Sequence, residues 1–155
     1  MKEIKIDESE NVESTEILKL LYQTLRCLTK KTISYPLIRV IFELKIMTLN
    51  GEAPQMSECV KCGTKEGTML FSVREGGLLC ESCEKSDNIW DKRKLSPAAV
   101  YAMQYIIGTP VEKLYTFTVT DEVLSELKAC LEDYLDVYMN HTFKSLEFLE
   151  MFGKI

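Results

Sequence analysis

The sequence has little of what most enzyme active sites require. Its 155 residues include a single histidine, His141, and no glycine-rich phosphate-binding loop. That histidine has no cysteine or carboxylate partner at a recognisable spacing, so we expect it at the surface or at a helix end rather than in a catalytic site. Gly76 and Gly77 are interpreted as turn residues. The sequence therefore predicts a protein that is not an enzyme.

Long apolar runs are also missing. No stretch approaches the roughly 20 apolar residues of a membrane-spanning helix. Residues 1–8 do not contain the apolar core of a secretion signal. Hydrophobic residues make up 46% of the chain, enough for a core, and 28% of the residues are charged. We expect a cytoplasmic protein with one domain, or one domain with a small inserted module.

An excess of positive charge is absent too. The chain has 19 lysines and arginines against 24 acidic residues, a formal net charge of −5. Nucleic-acid affinity depends largely on neutralising phosphates, so any such contact must use a local basic patch. The densest candidate is Lys92, Arg93 and Lys94. This triplet is either a solvated linker or a contact for phosphate or an acidic partner, and the neighbouring Trp90 could stack on a base or pack on the protein.

Six cysteines are present, and four of them form two pairs. Cys59 and Cys62 make one C-x-x-C unit, Cys80 and Cys83 make the other, and residues 63–79 separate them. This spacing is typical of zinc ribbons and fingers, in which four thiolates surround one ion. Four protein ligands leave no position for water or substrate, so we predict one structural zinc ion rather than a catalytic one. Cys27 and Cys130 are predicted to be small buried residues.

Helical patterns flank the cysteine pairs. Residues 1–13 are predicted to be a flexible arm or a short strand, and the first helix is expected to begin with Ser14 as its N-cap. A second, largely buried helix is predicted from Tyr35–Pro36 to Leu49, ended by Asn50–Gly51. Ser96 is predicted to cap a third helix with Pro97 at its first position, and Thr120 or Asp121 is predicted to cap a fourth. Residues 144–149 are helical in pattern.

The segment between the two predicted helical regions is interpreted as a metal-binding module. Residues 69–72 and 77–79 are strand candidates joined by a short turn, which gives a β-hairpin with the cysteines at its base. The predicted fold class is mainly α: a helical domain of residues 14–56 and 86–155, with a small β-hairpin zinc ribbon or finger inserted at residues 57–85.

Several short segments, taken in order, carry a family resemblance. The chain resembles the C-terminal part of RecO, a bacterial recombination mediator of gap repair, from about residue 15 to residue 150. The segments are Phe42–Lys45, Ala53–Met56, Cys59–Gly63, Phe71–Ser72, Gly76–Cys80 with Cys83, Leu95–Pro97 and Lys144–Leu149.

The resemblance implies a function as well as a fold. RecO proteins have an N-terminal OB-fold domain followed by a helical domain with a zinc-finger-like insertion, and Cys59, Cys62, Cys80 and Cys83 match the metal positions of the family. Family members bind single- and double-stranded DNA, anneal strands, associate with RecR and with the tail of single-stranded DNA-binding protein, and help to load RecA. The resemblance therefore implies a non-enzymatic DNA-repair protein of the cytoplasm, associated with the nucleoid.

Two departures from the family pattern bear on DNA binding. Only a short arm precedes the first predicted helix, so the five-stranded OB-fold is absent from this sequence. Met103–Gln104 also stands where many relatives have leucine followed by arginine. Two other hypotheses stay open at this point: a stand-alone zinc-ribbon regulator that binds duplex DNA, and a redox sensor that uses the C-x-x-C thiols.

Overall fold

The computed structural model describes residues 8–87 and 91–145, and their side chains over 14–85 and 91–138. Predictions for residues 1–7, Trp90 and 146–149, and for the side chain of His141, lie outside the described residues. The mainly α fold class is confirmed: helices predominate, and one small antiparallel sheet accompanies them. The elements are α1 (Glu8–Lys30), α2 (Tyr35–Leu49), β1 (Met69–Ser72), β2 (Gly77–Cys80), α3 (Glu81–Asp87), β3 (Lys92–Lys94), α4 (Pro97–Gly108), a 3-10 turn (Val111–Lys113) and α5 (Asp121–Ser145).

Helix α1 begins earlier than the sequence predicted. It starts at Glu8, so Ser14 lies inside the helix and is not its N-cap; that prediction is wrong. Residues 8–13 are polar apart from Val12, so apolar periodicity does not reveal this part of the helix. The helix ends at Lys30, and the next residue, Lys31, adopts a left-handed backbone conformation with φ of 57°.

Helix α2 is the centre of the hydrophobic core. It has Pro36 in its first turn and ends at Asn50 and Gly51, whose φ of 75° is the left-handed conformation that glycine permits. Helices α1, α4 and α5 all pack against it. The start, the end and the burial of this helix are confirmed. Its buried apolar residues are Leu37, Ile38, Val40, Ile41, Leu44 and Met47.

Side-chain caps set the beginnings of α4 and α5, as predicted. Ser96 Oγ accepts a hydrogen bond from the Ala99 amide at 3.2 Å, and Thr120 Oγ1 accepts one from the Val123 amide at 3.3 Å. The amide and hydroxyl of Ser96 also donate to the Glu126 carboxylate, at 2.9 and 2.6 Å. Because Glu126 lies on α5, the start of α4 is fixed against that helix.

A buried lysine caps the other end of α4. Lys45 of α2 is 5% exposed and donates to the carbonyl oxygens of Ile106, Ile107 and Thr109, at 3.2, 3.1 and 2.7 Å. These oxygens lie at the C-terminal end of a helix, where carbonyls lack intrahelical partners and attract a positive charge. Burial lowers the pKa of Lys45. Its contacts join α2 to the end of α4.

The sheet has the order β2-β1-β3, with both pairs antiparallel. The predicted hairpin of β1 and β2 is confirmed. The interpretation of residues 92–94 as a solvated linker is wrong: they form β3, which pairs with the free edge of β1. Without β3, this edge of β1 would leave backbone donors and acceptors without partners, and β3 provides those partners.

One side of the hairpin belongs to the main core. Phe71 of β1 lies opposite Leu78 of β2, and both are buried with the apolar residues of the helices. The ring of Phe71 meets the ring of Tyr134 on α5 edge to face, with centroids 6.1 Å apart. The sheet and the helical bundle therefore share one continuous core.

The two adjacent glycines have different roles. Gly76 has a φ of 81° and forms the hairpin turn, as predicted. Gly77 is required by a close contact: a Cβ there would lie 2.3 Å from the carbonyl oxygen of Gln55. Gln55 accepts a hydrogen bond from the Leu78 amide and donates one to the Gly76 carbonyl, both at 2.9 Å. The chain that follows α2 is thereby held along β2.

Candidate metal centre

The first cysteine pair lies on a tight loop whose amides point inward. The Cys59 amide donates to the Thr64 carbonyl and the Gly63 amide donates to the Cys59 carbonyl, both at 2.9 Å. Gly63 has a φ of 78°, so the loop can close only where a left-handed residue is tolerated. The Lys61 amide lies 3.4 Å from Cys59 Sγ and donates to it. This donor would orient the sulfur and stabilise its thiolate.

The second pair lies at a strand-to-helix junction. Cys80 is the last residue of β2 and Cys83 lies in α3, a short helix that the sequence analysis did not predict. The Val60 amide donates to the Leu78 carbonyl at 2.8 Å and joins the first loop to β2. Hydrogen bonds between the two segments therefore bring both cysteine pairs to the same end of the hairpin.

The four sulfur atoms lie close enough to surround one ion. The Sγ atoms of Cys59, Cys62, Cys80 and Cys83 all lie within 4.8 Å of one another, and those of Cys62 and Cys80 are 3.6 Å apart. A tetrahedral zinc site with Zn–S bonds of about 2.3 Å has sulfur–sulfur distances of about 3.8 Å. The cluster fits a tetrahedral site made of thiolates and could hold one metal ion.

The protonation of the thiols is unequal. Burial opposes ionisation of Cys59, but backbone amides, including that of Lys61, outweigh burial and lower its pKa to about 6. Hydrogen bonding to Cys80, together with burial, raises the pKa of Cys83 to about 12. Without a cation, four adjacent thiolates would repel one another, whereas a bound divalent ion favours the thiolate form of every ligand. The donor set is therefore suited to a cation.

The remaining two cysteines lie away from the cluster, as predicted. Cys27 and Cys130 are buried in the main hydrophobic core. Burial raises the pKa of both thiols, that of Cys130 to about 12. At neutral pH these residues are protonated and apolar in character.

The basic triplet is divided between two faces of the sheet. On β3, Lys92 forms an ion pair with Glu84, and Arg93 forms one with Asp133 of α5. Glu84 follows the metal-cluster residue Cys83 and is 6% exposed. Lys94 is exposed, and no ion pair of its side chain occurs within the described residues. A contact of these three residues with nucleic acid or with an acidic partner stays a prediction.

The fold and the cysteine cluster together define a class: a mainly helical protein with a small β-module built around a four-cysteine metal centre. Among the described helices, none is both long and apolar enough to pass through a membrane. Residues 7–147 match the sequence profile of the family described as Recombination protein O C terminal. The chain belongs to this RecO C-terminal family, as its sequence segments predicted.

Curated relatives named DNA repair protein RecO are similar to the chain over most of its length. The protein of Acetivibrio thermocellus is 31% identical over 147 residues, which cover 94% of this chain and 58% of the relative. That of Bacillus pumilus is 32% identical over 133 residues, 86% of this chain and 51% of the relative. The chain thus spans about half the length of these relatives. No solved structure matches it significantly.

Proposed function

We propose that the chain acts in bacterial recombinational DNA repair as the C-terminal part of a RecO-type mediator, and that it does so by binding rather than by catalysis. The family match over residues 7–147 is the observation that carries this proposal. A four-cysteine cluster supports the non-catalytic role, because an ion with four protein ligands has no position left for a substrate.

In this proposal the metal is zinc and its role is structural. Cys59 and Cys62 would hold it from the tight loop, and Cys80 and Cys83 from the junction of β2 and α3. The ion supplies a rigid tetrahedral link between these two segments. It would also fix Glu84, next to Cys83, in position to pair with Lys92 of β3.

The DNA contact of this part of the molecule is proposed to be a supporting one. Two of the three cations on β3 are engaged by carboxylates of the protein itself, which leaves Lys94 as the most available. Together with the net charge of −5, this argues against a stand-alone regulator that binds duplex DNA, since such a protein needs a broad basic face.

The proposed protein partners are a RecR-like protein and the tail of single-stranded DNA-binding protein. The test measures binding of the zinc-loaded chain to a tail peptide, to RecR and to a single-stranded oligonucleotide at several salt concentrations. We expect partner binding together with modest DNA binding that weakens as salt increases. Absence of all three interactions would contradict the proposal, and tight duplex binding with a steep salt dependence would favour the regulator instead.

The redox-sensor hypothesis is tested on the same protein. A mild peroxide treatment should leave the zinc bound if its role is structural, and this is measured with a colorimetric zinc indicator. Rapid stoichiometric release of the metal would support the sensor.

A further inference from the structure

A surface cleft separates the metal module from helix α4. One wall is the loop that leads from the first cysteine pair into β1, with Lys65 and Met69; the other is formed by the end of β3 and the start of α4. The cleft is open to solvent and has a volume of about 750 Å³, within the range of small-ligand sites. Its walls are distant along the chain, so the sequence alone does not predict this cleft.

Two lysines line this cleft, one on each wall. Lys65 and Lys94 are both exposed, and neither has an ion pair with the side chains described over residues 14–85 and 91–138. The carboxylate of Glu126 also lines the cleft and accepts two hydrogen bonds from Ser96. The lining thus has two lysines against one carboxylate, a formal charge of +1. On a protein with a net charge of −5, this local excess of positive charge favours an anion.

An exposed aromatic ring lines the same cleft. Tyr101 of α4 is 69% exposed and borders the cleft together with the apolar side chains of Val100 and Met69. Most large apolar side chains of α4 face the core, so this ring is one of the few that α4 presents to solvent. Planar exposed rings next to cationic side chains are the elements with which proteins bind unpaired bases and their phosphates.

We propose that this cleft binds a short segment of single-stranded nucleic acid, with one base stacked on Tyr101 and the adjacent phosphates at Lys65 and Lys94. The inference rests on the proposed DNA-binding function and adds a location to it. Single strands fit better than duplex, because a base can reach the ring only when it is unpaired. They also fit better than an acidic peptide, which would use the two amines but not the face of the ring.

The metal centre positions one side of this site. Lys65 lies on the loop that follows Cys62, and that loop is closed by the hydrogen bond between the Cys59 amide and the Thr64 carbonyl. Lys94 and Tyr101, in contrast, belong to β3 and α4. Removal of the metal should therefore displace Lys65 and leave the opposite wall in place.

Fluorescence anisotropy with a labelled oligothymidine of about ten nucleotides tests the stacking contact. We expect Tyr101→Ala to weaken binding by about tenfold or more, and Tyr101→Phe, which keeps the ring, to bind nearly as well as the original chain. Tyr35→Ala is the matched control, because Tyr35 is also 69% exposed but lies on α2 and does not line the cleft. Equal affinity of the Tyr101→Ala and Tyr35→Ala variants would overturn the proposal.

Salt titrations test the phosphate contacts. Each of Lys65→Gln and Lys94→Gln should reduce the slope of log K against log salt by about 0.7, the value for one phosphate contact on a single strand. Lys30→Gln removes the same charge at the end of α1 and should leave the slope unchanged.

The outcomes separate this site from the broader function. If the oligonucleotide binds and the cleft variants have the same affinity as the controls, the cleft is not the binding site, but the DNA-binding function stands. If the oligonucleotide does not bind at all, the cleft and the DNA contact both fail, while the measurements with the tail peptide and RecR decide the partner contacts separately. If these variants lose affinity for an acidic peptide but keep their affinity for the oligonucleotide, the cleft is a site for a protein partner and the inference is overturned.

Discussion

Replacement of Cys80 by serine tests how much of the structure depends on the metal. Cys80 is 7% exposed and its sulfur lies 3.6 Å from that of Cys62. A serine hydroxyl is not deprotonated at neutral pH and is a poor zinc ligand, so the Cys80→Ser variant should not retain the ion. The question is which segments then unfold.

The local core of the metal module is too small to fold alone. Its buried members are Cys59, Leu79 and Cys80. Burial of a leucine-sized side chain contributes about 1.5–3 kcal/mol, whereas ordering the backbone of a single residue costs roughly 1–2 kcal/mol. The loop of residues 57–68 and helix α3 therefore need the metal, whose binding can supply about 10 kcal/mol or more.

The other face of the hairpin leads to a different expectation for β1 and β2. Phe71 and Leu78 are buried among the helices, so packing against the helices stabilises these strands even without the ion. We therefore expect Cys80→Ser to release the metal and to unfold residues 57–68 and α3, while β1 and the long helices remain folded. This limits the unfolding to part of the hairpin module.

Hydrogen exchange read by mass spectrometry, with zinc content measured on the same samples, checks this expectation. Peptides from 57–68 and 81–87 should lose protection, and peptides from β1 and α2 should keep it. Cys27→Ser is the matched control, because that cysteine is buried but lies outside the cluster. Full protection of residues 57–68 in zinc-free Cys80→Ser protein would refute the reasoning, and so would zinc loss in the control.

Three further predictions concern single residues. Lys45→Met should lower the free energy of unfolding by about 2 kcal/mol in urea, because three carbonyl oxygens lose their donor. Burial lowers the pKa of Lys45 below its ordinary 10.5, so the unfolded chain binds more protons between the two values. The stability of the original chain relative to Lys45→Met should consequently rise as the pH increases through that window, and a fall would contradict the assignment. Gly77→Ala should destabilise the protein by about 1–3 kcal/mol in thermal melts, because its Cβ meets the Gln55 carbonyl, whereas Gly108→Ala, which meets nothing within 4 Å, should cost much less. Cys130, with a pKa of about 12 and a buried side chain, should resist iodoacetamide at pH 8 until the protein is unfolded; fast alkylation of the folded protein would contradict its burial.

The parts of the fold that follow from local chemistry were predictable from the sequence. Ser96 and Thr120 are helix caps because a side-chain oxygen is placed where the first amides need an acceptor. Gly51 ends α2 for a similarly local reason. The cysteine spacing was equally informative, since it depends on the geometry of one turn and one ion. In each case the decisive residues lie within a few positions of one another.

The features that sequence reasoning missed depend on partners distant along the chain. Residues 92–94 became a strand because β1 offers a free edge, and nothing within the triplet itself indicates that edge. Lys45 occurs in a helical pattern that looks apolar, and its role depends on the end of α4. The cleft around Tyr101 likewise exists only after the metal module has packed beside α4. Helix α1 is the exception, because its first residues are close together in the chain but mostly polar, and apolar periodicity does not mark them.

The central position of β1 has a consequence for engineering. An insertion whose side chains contact only one another can be removed or transferred to a new host as a cassette. Residues 57–85 do not meet this condition, because β1 carries Phe71 into the helical core and offers its second edge to β3. Deleting them would open a cavity beside Tyr134 and leave β3 without a partner. A relative that lacks the cysteines would still need the strand, and a transplanted module would need a new apolar support.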